Sequence, residues 1–323
     1  MTLASELRAL LVLPAICAPM MLVSGPELVS AAAKAGIMAG LPRHNARTPE
    51  EFASWLEALH RDLSTFRNDN PEARIGPIAA NIIASRPLDE TIPDIEACIA
   101  NGITHFITAL GNPTEIAKAI HDRGGTIMHD VTSLRFAEKA IAGGVDGLVC
   151  IGSGGGGHSG TLNALAFLPQ VRALWDGLIV FAGSVSSGSA IRAAEVLGAD
   201  LVYLGTRFIA TRESLAPSEY KDMLAAHTSA DLVYTPAITG VPANWLRPSL
   251  DRKGIAIDTL SAPKRTYEHL PRDVRPWRDL WSAGQGIDLI DDVPDVTSLV
   301  ARLRREYIAA CASPDMADVA AHG

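Results

Sequence analysis

Residues 152 to 160 read GSGGGGHSG, a run of four glycines leading into His158. Such a run carries high backbone entropy and gives a scaffold little, so its use lies in what a bare backbone allows. It can lie flat against a planar ligand and hold an imidazole over it. Histidine titrates near neutrality, which makes His158 a candidate general base or acid. The competing reading is a surface loop with an incidental histidine.

Two more glycine turns point to a second kind of chemistry. The stretches FAGSVSSG (181–188) and LGTRF (204–208) each lie at the end of an apolar run. Between them they offer the backbone N–H groups of Gly183, Ser184, Gly205 and Thr206, together with hydroxyls, beside a helix start. Glycine lets the main chain approach an oxyanion closely, and a helix N-terminus favours negative charge. One such turn could merely relieve strain. Two on the last strands of a barrel point to a phosphate, whose owner, cofactor or substrate, this feature leaves open.

Other residues offer less. Met20 and Met21 could pack beneath an aromatic ring or simply fill a gap. Asn81 can present donor and acceptor to a heteroaromatic edge or serve as a core amide. His129 ends a strand and could face the site or sit neutral in the core. His60 and His121 lie in amphipathic helices and His105 starts a strand, which makes them structural or solvent-facing. Apart from Arg207, Asp130 is the charged residue near a strand end.

The elements that would position these groups form a rhythm. Near-continuous apolar runs at 14–19, 37–42, 75–83, 104–110, 126–131, 147–152, 178–185 and 200–208 read as eight parallel strands covered on both sides. Helices alternate with them, opened by caps such as Thr48 and closed by glycines such as Gly124, Gly144 and Gly198. The fold expected is an α/β (β/α)8 TIM barrel. After Phe208 the rhythm stops, and the proline-rich stretch to about Pro276 reads as an inserted helical and loop subdomain over the barrel mouth. The barrel is assigned to 1–212 and 290–323, the substrate-covering subdomain to 213–289. Helical spacing over 296–311 predicts a helix packed back on the barrel, and the small, polar tail from Ala312 reads as disordered.

The chain has 323 residues, with 28 Lys+Arg against 36 Asp+Glu, a formal charge of −8. No basic stripe interleaves aromatics, so neither nucleic acid nor an anionic membrane is an expected partner. The four cysteines form no CxxC pair, and no metal site is expected. The apolar stretch 9–23 imitates a secretion signal, but Pro14 and Pro19 interrupt it and Glu6 and Arg8 precede it. A cytoplasmic location is expected.

In order and spacing, Ala18-Pro19-Met20, the strand of Asn81, the GGHSG loop, the AGS turn at 182–184, LGTRF and the late WSAGQG (281–286) resemble the nitronate monooxygenase (2-nitropropane dioxygenase) group. The resemblance implies FMN, with its phosphate at Gly183, Ser184, Gly205 and Thr206. Its ring would meet Pro19, Met20, Met21, Asn81 and Asp130, with Gly156 and Gly157 alongside. It also implies that His158 removes a proton from a nitroalkane or positions a nitronate, and that O2 oxidation yields a carbonyl compound and nitrite. Three positions depart from the pattern: Cys17 replaces a glutamine, Gly154 an acidic residue and Asp130 a lysine. A cation beside the ring would favour an anionic reduced flavin, whereas an ionised Asp130 would oppose it unless it is turned away or protonated. NAD(P)H:quinone reductases and FMN-dependent enoyl reductases share the scaffold, so a quinone or enoyl substrate with NAD(P)H is the alternative. A flavin-free lyase or isomerase with a phosphorylated substrate, and a non-catalytic binding protein, are further readings. The oligomeric state is open, a homodimer included.

Overall fold

The computed structural model describes residues 2–262 and 269–312. Beyond Ala312, the expectation for the tail lies outside the described residues. Eight parallel strands close into a barrel: β1 (Ala15–Cys17), β2 (Met38–Pro42), β3 (Ile78–Ile83), β4 (His105–Ala109), β5 (Thr126–Val131), β6 (Gly147–Ile151), β8 (Leu178–Ala182) and β9 (Leu201–Leu204). The two-residue strand β7 (Gly157–His158) stands apart from this ring.

Side chains alternate along each strand, and the alternation divides the barrel into two cores. Ile16, Met38, Ala79, Ile107, Met128, Val149, Val180 and Leu201 point inward and fill the interior. Cys17, Ala39, Ala80, Phe106, Ile127, Cys150, Phe181 and Val202 point outward under the helices. Those helices are α2 (Pro26–Lys34), α3 (Pro49–Asp69), α4 (Leu88–Ala100), α5 (Thr114–His121), α6 (Leu134–Ala142), α7 (Ala164–Leu174) and α8 (Gly188–Val196). An N-terminal helix, α1 (Leu3–Leu10), adds Leu7 to the interior cluster, joined by Leu11 just after it. Residues 9–23 are thus divided between the end of α1, β1 and a turn.

The local signals act as their chemistry demands. Thr48, Ser133 and Ser187 cap α3, α6 and α8 by accepting a backbone N–H three residues on. Gly124, Gly144 and Gly198 take the left-handed conformation after α5, α6 and α8. The last strand is shorter than its apolar run. It stops at Leu204, and Thr206–Ile209 turns into a short helix, α9.

The stretch after α9 holds the helices α10 (Ser218–Ala226) and α11 (Arg247–Asp251), and also two strands that the sequence did not announce. β10 (Leu232–Thr235) pairs antiparallel with β11 (Ala243–Leu246), and β11 pairs antiparallel with β7, with Ala243 opposite His158 and Asn244 opposite Gly157. Trp245, fully buried, centres a separate apolar cluster with Ile238, Leu250 and Leu280. The final helix α12 (Val296–Cys311) returns to pack on α8 and α2. Asp292, just before it, pairs with Arg207 and Arg302. No described helix is long and apolar enough to cross a membrane.

Candidate functional site

A cavity of about 470 Å³ opens where the barrel strands end, and His158 and the eleven residues that the resemblance places around FMN all line it. They fall into three groups: the glycine turns after β8 and β9, a polar floor, and the loop of His158, whose Gly154 O accepts from Ser184 Oγ at 3.4 Å.

The turns after β8 and β9 form the first group. Gly183 has φ +134° and Ser184, though not glycine, φ +56°. This backbone turns the N–H groups out of the ladder: those of Gly183, Ser184, Gly205 and Thr206 find no protein acceptor among the described residues. Ser184 is exposed and the other three are half-buried, so these four free donors face the cavity together and offer a place for an anion. A Cβ on Gly205 would meet nothing nearer than Met20 Sδ at 3.6 Å, so protein packing does not demand this glycine and its open space faces the cavity. Thr206 Oγ1 accepts from Gly284 N at 2.9 Å, which leaves its own proton to donate. The start of α8 contributes less than expected. Gly188 N–H, at the helix start, already donates to Glu306 of α12 at 2.7 Å.

The floor comes from inward-facing positions. Asn81 is buried and its amide donates to Ile107 O at 3.2 Å. Asp130 faces the cavity, and its Oδ1 is buried without a partner, as is the hydroxyl of Tyr203. Burial pushes the Asp130 carboxyl up to about 7, so near neutrality a large fraction of it is the neutral acid, a hydrogen-bond donor. Pro19 can sit at this rim because Gly40 leaves room, a Cβ there coming within 2.5 Å of Pro19 Cδ. Asn45 holds the turn that follows: its amide donates to Met20 O at 2.9 Å and its carbonyl accepts from Leu22 N at 2.8 Å. Met21 and Leu110, 46% and 54% exposed, form an apolar lip.

His158 belongs to the third group and lines the cavity. Its loop is pinned by the inserted segment and does not hang free. Asn244 of β11 donates to Gly155 O at 2.7 Å, and Tyr234 of β10 donates to Ser159 O at 3.0 Å. Three of the four glycines have a reason in backbone conformation or close approach, whereas a Cβ on Gly155 would make ordinary contact, 3.4 Å from Ser159 Cβ. A Cβ on Gly154, at φ +80°, would collide with Ser184 Oγ and come within 2.6 Å of Gln285 Oε1. One on Gly156 would lie 3.0 Å from Gly284 N, and Gly157 has φ +74°. The imidazole meets the edge of Trp277 at 5.3 Å, with planes at 86°, and its Nε2 lies 3.1 Å from Thr239 Oγ1. Burial lowers its pKa, keeping it neutral and able to accept a proton at pH 7.

His129 does not face the site. It points outward from β5, bonds Thr108 Oγ1 through Nδ1 at 2.8 Å, and burial pushes its pKa down to about 4. Cys17 also faces the helices, so the replacement there lies outside the cavity wall. The sequence reading missed Tyr203, Thr239, Asn244 and Trp277. Tyr203 was accessible in principle, because it alternates with the interior Leu201. The other three belong to a segment with no regular period.

A family model described as nitronate monooxygenase matches residues 77–306. A putative monooxygenase, Rv1533, of Mycobacterium tuberculosis is 31% identical over 157 residues, which cover 48% of this chain and 42% of that protein. The chain spans between 42% and 62% of the length of this and two further curated relatives. Two solved structures share the fold at 23% identity and a TM-score of 0.74. FabK from Thermotoga maritima matches over 96% of this chain and 97% of its own, and a nitroalkane oxidase from Streptomyces ansochromogenes over 94% and 98%. With the matched segment covering well over half of its length, the chain belongs to the nitronate monooxygenase family.

Proposed function

We propose that this chain is an FMN-dependent oxidoreductase that oxidises nitronates or nitroalkanes with O2, and that His158 is its base. The observation that carries the reading is the pairing, across one cavity, of four unpartnered backbone N–H groups with a neutral, buried imidazole. The residues fit FMN. Gly183, Ser184, Gly205 and Thr206 would hold its phosphate. Pro19, Met20 and Met21 would contact the ring, with Gly156 and Gly157 beside it. Asn81, Asp130 and Tyr203 would meet its polar edge, where the orphaned Asp130 and Tyr203 oxygens await partners. Bound FMN would supply two-electron redox chemistry and the route to O2.

The chain's own residues bind, orient and move a proton. His158, neutral because it is desolvated, takes the α-proton of a neutral nitroalkane and the carbon keeps the electron pair as a nitronate. A substrate that arrives already as nitronate needs no base, and the resulting imidazolium-free site holds it by position alone. Asp130, in its neutral form, donates a hydrogen bond where a lysine would have offered a charge.

Titration with FMN and with riboflavin, followed by flavin fluorescence, tests the reading. FMN should bind about 100-fold tighter or better, because only it presents a phosphate to the glycine turns. No binding of FMN would leave the flavin-free alternative. The apolar lip of Met21 and Leu110 favours one second reading, a quinone or enoyl reductase fed by NAD(P)H, since it suits a substrate larger and more apolar than a small nitroalkane.

A further inference from the structure

His158 has two ring nitrogens, and a base needs one of them bare. Nε2 lies 3.1 Å from Thr239 Oγ1, and that hydroxyl lies 3.0 Å from Val241 O. A carbonyl only accepts, a hydroxyl has one proton, and a ring nitrogen can donate or accept. Both contacts are satisfied at once in a single arrangement: Nε2–H donates to Thr239, and Thr239 donates to Val241. The reverse assignment, with Thr239 donating to Nε2, leaves the 3.0 Å contact between the two oxygens without a proton. Nδ1 has no protein partner among the described residues.

We infer that Thr239 is a positioning residue that fixes the proton of neutral His158 on Nε2 and so presents Nδ1 as the bare nitrogen of the site. The threonine is well placed to do so. It sits in the turn between β10 and β11, next to the fully buried Ile238, and its hydroxyl bond closes onto its own turn. His158 lines the cavity and Thr239 does not, so the hydroxyl acts through the ring. Trp277, stacked on Trp245 at 4.4 Å, abuts the imidazole edge-on and restrains its rotation.

This deepens the proposed function and rests on it for the reacting proton. In that step the substrate C–H bond breaks, Nδ1–H forms, and the carbon–hydrogen electron pair stays with the substrate as the nitronate. The imidazolium keeps its Nε2–H bond to Thr239, so charge develops without any rearrangement of the turn.

The test is a long-range 1H–15N correlation spectrum of the FMN-loaded protein labelled at histidine and recorded at pH 8, with His158→Gln assigning the signals. Protonated Nε2 and bare Nδ1 are expected for the native chain and for Thr239→Ser, and a shift toward protonated Nδ1 or a mixture for the isosteric Thr239→Val. Turnover of neutral nitroalkane should fall about tenfold or more in Thr239→Val, recover in Thr239→Ser, and leave FMN affinity unchanged. A native spectrum with the proton on Nδ1 overturns the assignment, as does a Thr239→Val tautomer equal to native. Should Thr239→Val not fold, the native and Thr239→Ser spectra still decide. A native chain with Nε2–H that oxidises no nitro compound supports the assignment and counts against the proposed activity.

Discussion

The glycine turns and the His158 loop, both on the cavity wall, are built in different ways. The glycine turns at Gly183–Ser184 and Gly205–Thr206 grow directly out of adjacent barrel strands, β8 and β9, and their geometry is set by backbone that the barrel holds from both sides. The histidine part is composite. A loop after β6 supplies His158, but β10, β11 and their turn hold it through Asn244, Tyr234 and Thr239, some 75 to 89 residues away in sequence. An oxyanion asks only for amides at fixed positions, which one rigid scaffold provides. A base must keep its orientation and its proton count, which takes a second layer of hydrogen bonds. The barrel thus suits cofactor binding, and the inserted segment suits tuning of the chemistry.

Substitutions can break this division or sharpen it. His158→Ala should cost about 10²- to 10⁴-fold in turnover of neutral nitroalkanes, less on nitronates, and nothing in FMN affinity. Steady-state rates on both substrate forms, with flavin content measured alongside, check it, and equal losses would remove the base role. Asp130 comes next. Its carboxyl is held near 7 against an ordinary 3.8, so ionising it in the fold costs stability. That cost is absent below about pH 4, grows as pH rises toward 7, and is complete above it, at up to about 4 kcal/mol. Asp130→Asn should therefore raise the thermal midpoint of the flavin-free protein at pH 8 much more than at pH 4, and an equal gain at both would refute the sign.

In the glycine turns, Gly205→Leu should weaken FMN about 100-fold by filling the open space, with little change in melting temperature. Calorimetry and FMN titration on the same sample would expose a joint loss, which would mean that the glycine serves the fold. The smallest effect belongs to the link between the regions. Asn244→Ala leaves Gly155 O without its donor and should cost about 1–3 kcal/mol, measured by urea unfolding, while lowering turnover more than FMN affinity.

Legibility in the sequence follows the same division. The eight barrel strands were readable because a strand buried on both faces must be a continuous apolar run, and the caps at Thr48, Ser133 and Ser187 act through neighbours three residues away. The end of the last run misled: of residues 205–208 only Phe208 carries a large apolar side chain, and Thr206–Ile209 winds into α9. Strands β7, β10 and β11 were not readable. They are two to four residues long, and their pairing depends on partners far along the chain. The glycines of the His158 loop have a further reason that the sequence did not show. Gly154 and Gly156 exclude side chains because Ser184, Gln285 and Gly284 press against them, a fact that no local pattern carries. The Gly154 departure is therefore matched by its neighbours.

The most direct test of the account is anaerobic mixing of the FMN-loaded protein with a nitronate in one cuvette and with NADH or NADPH in another, followed by absorbance of the flavin. Bleaching by the nitronate, with return of the yellow colour on admitting O2, is the predicted result. A flavin that stays oxidised with nitronate but bleaches with NADH or NADPH would contradict the account and assign the cavity to a reductase.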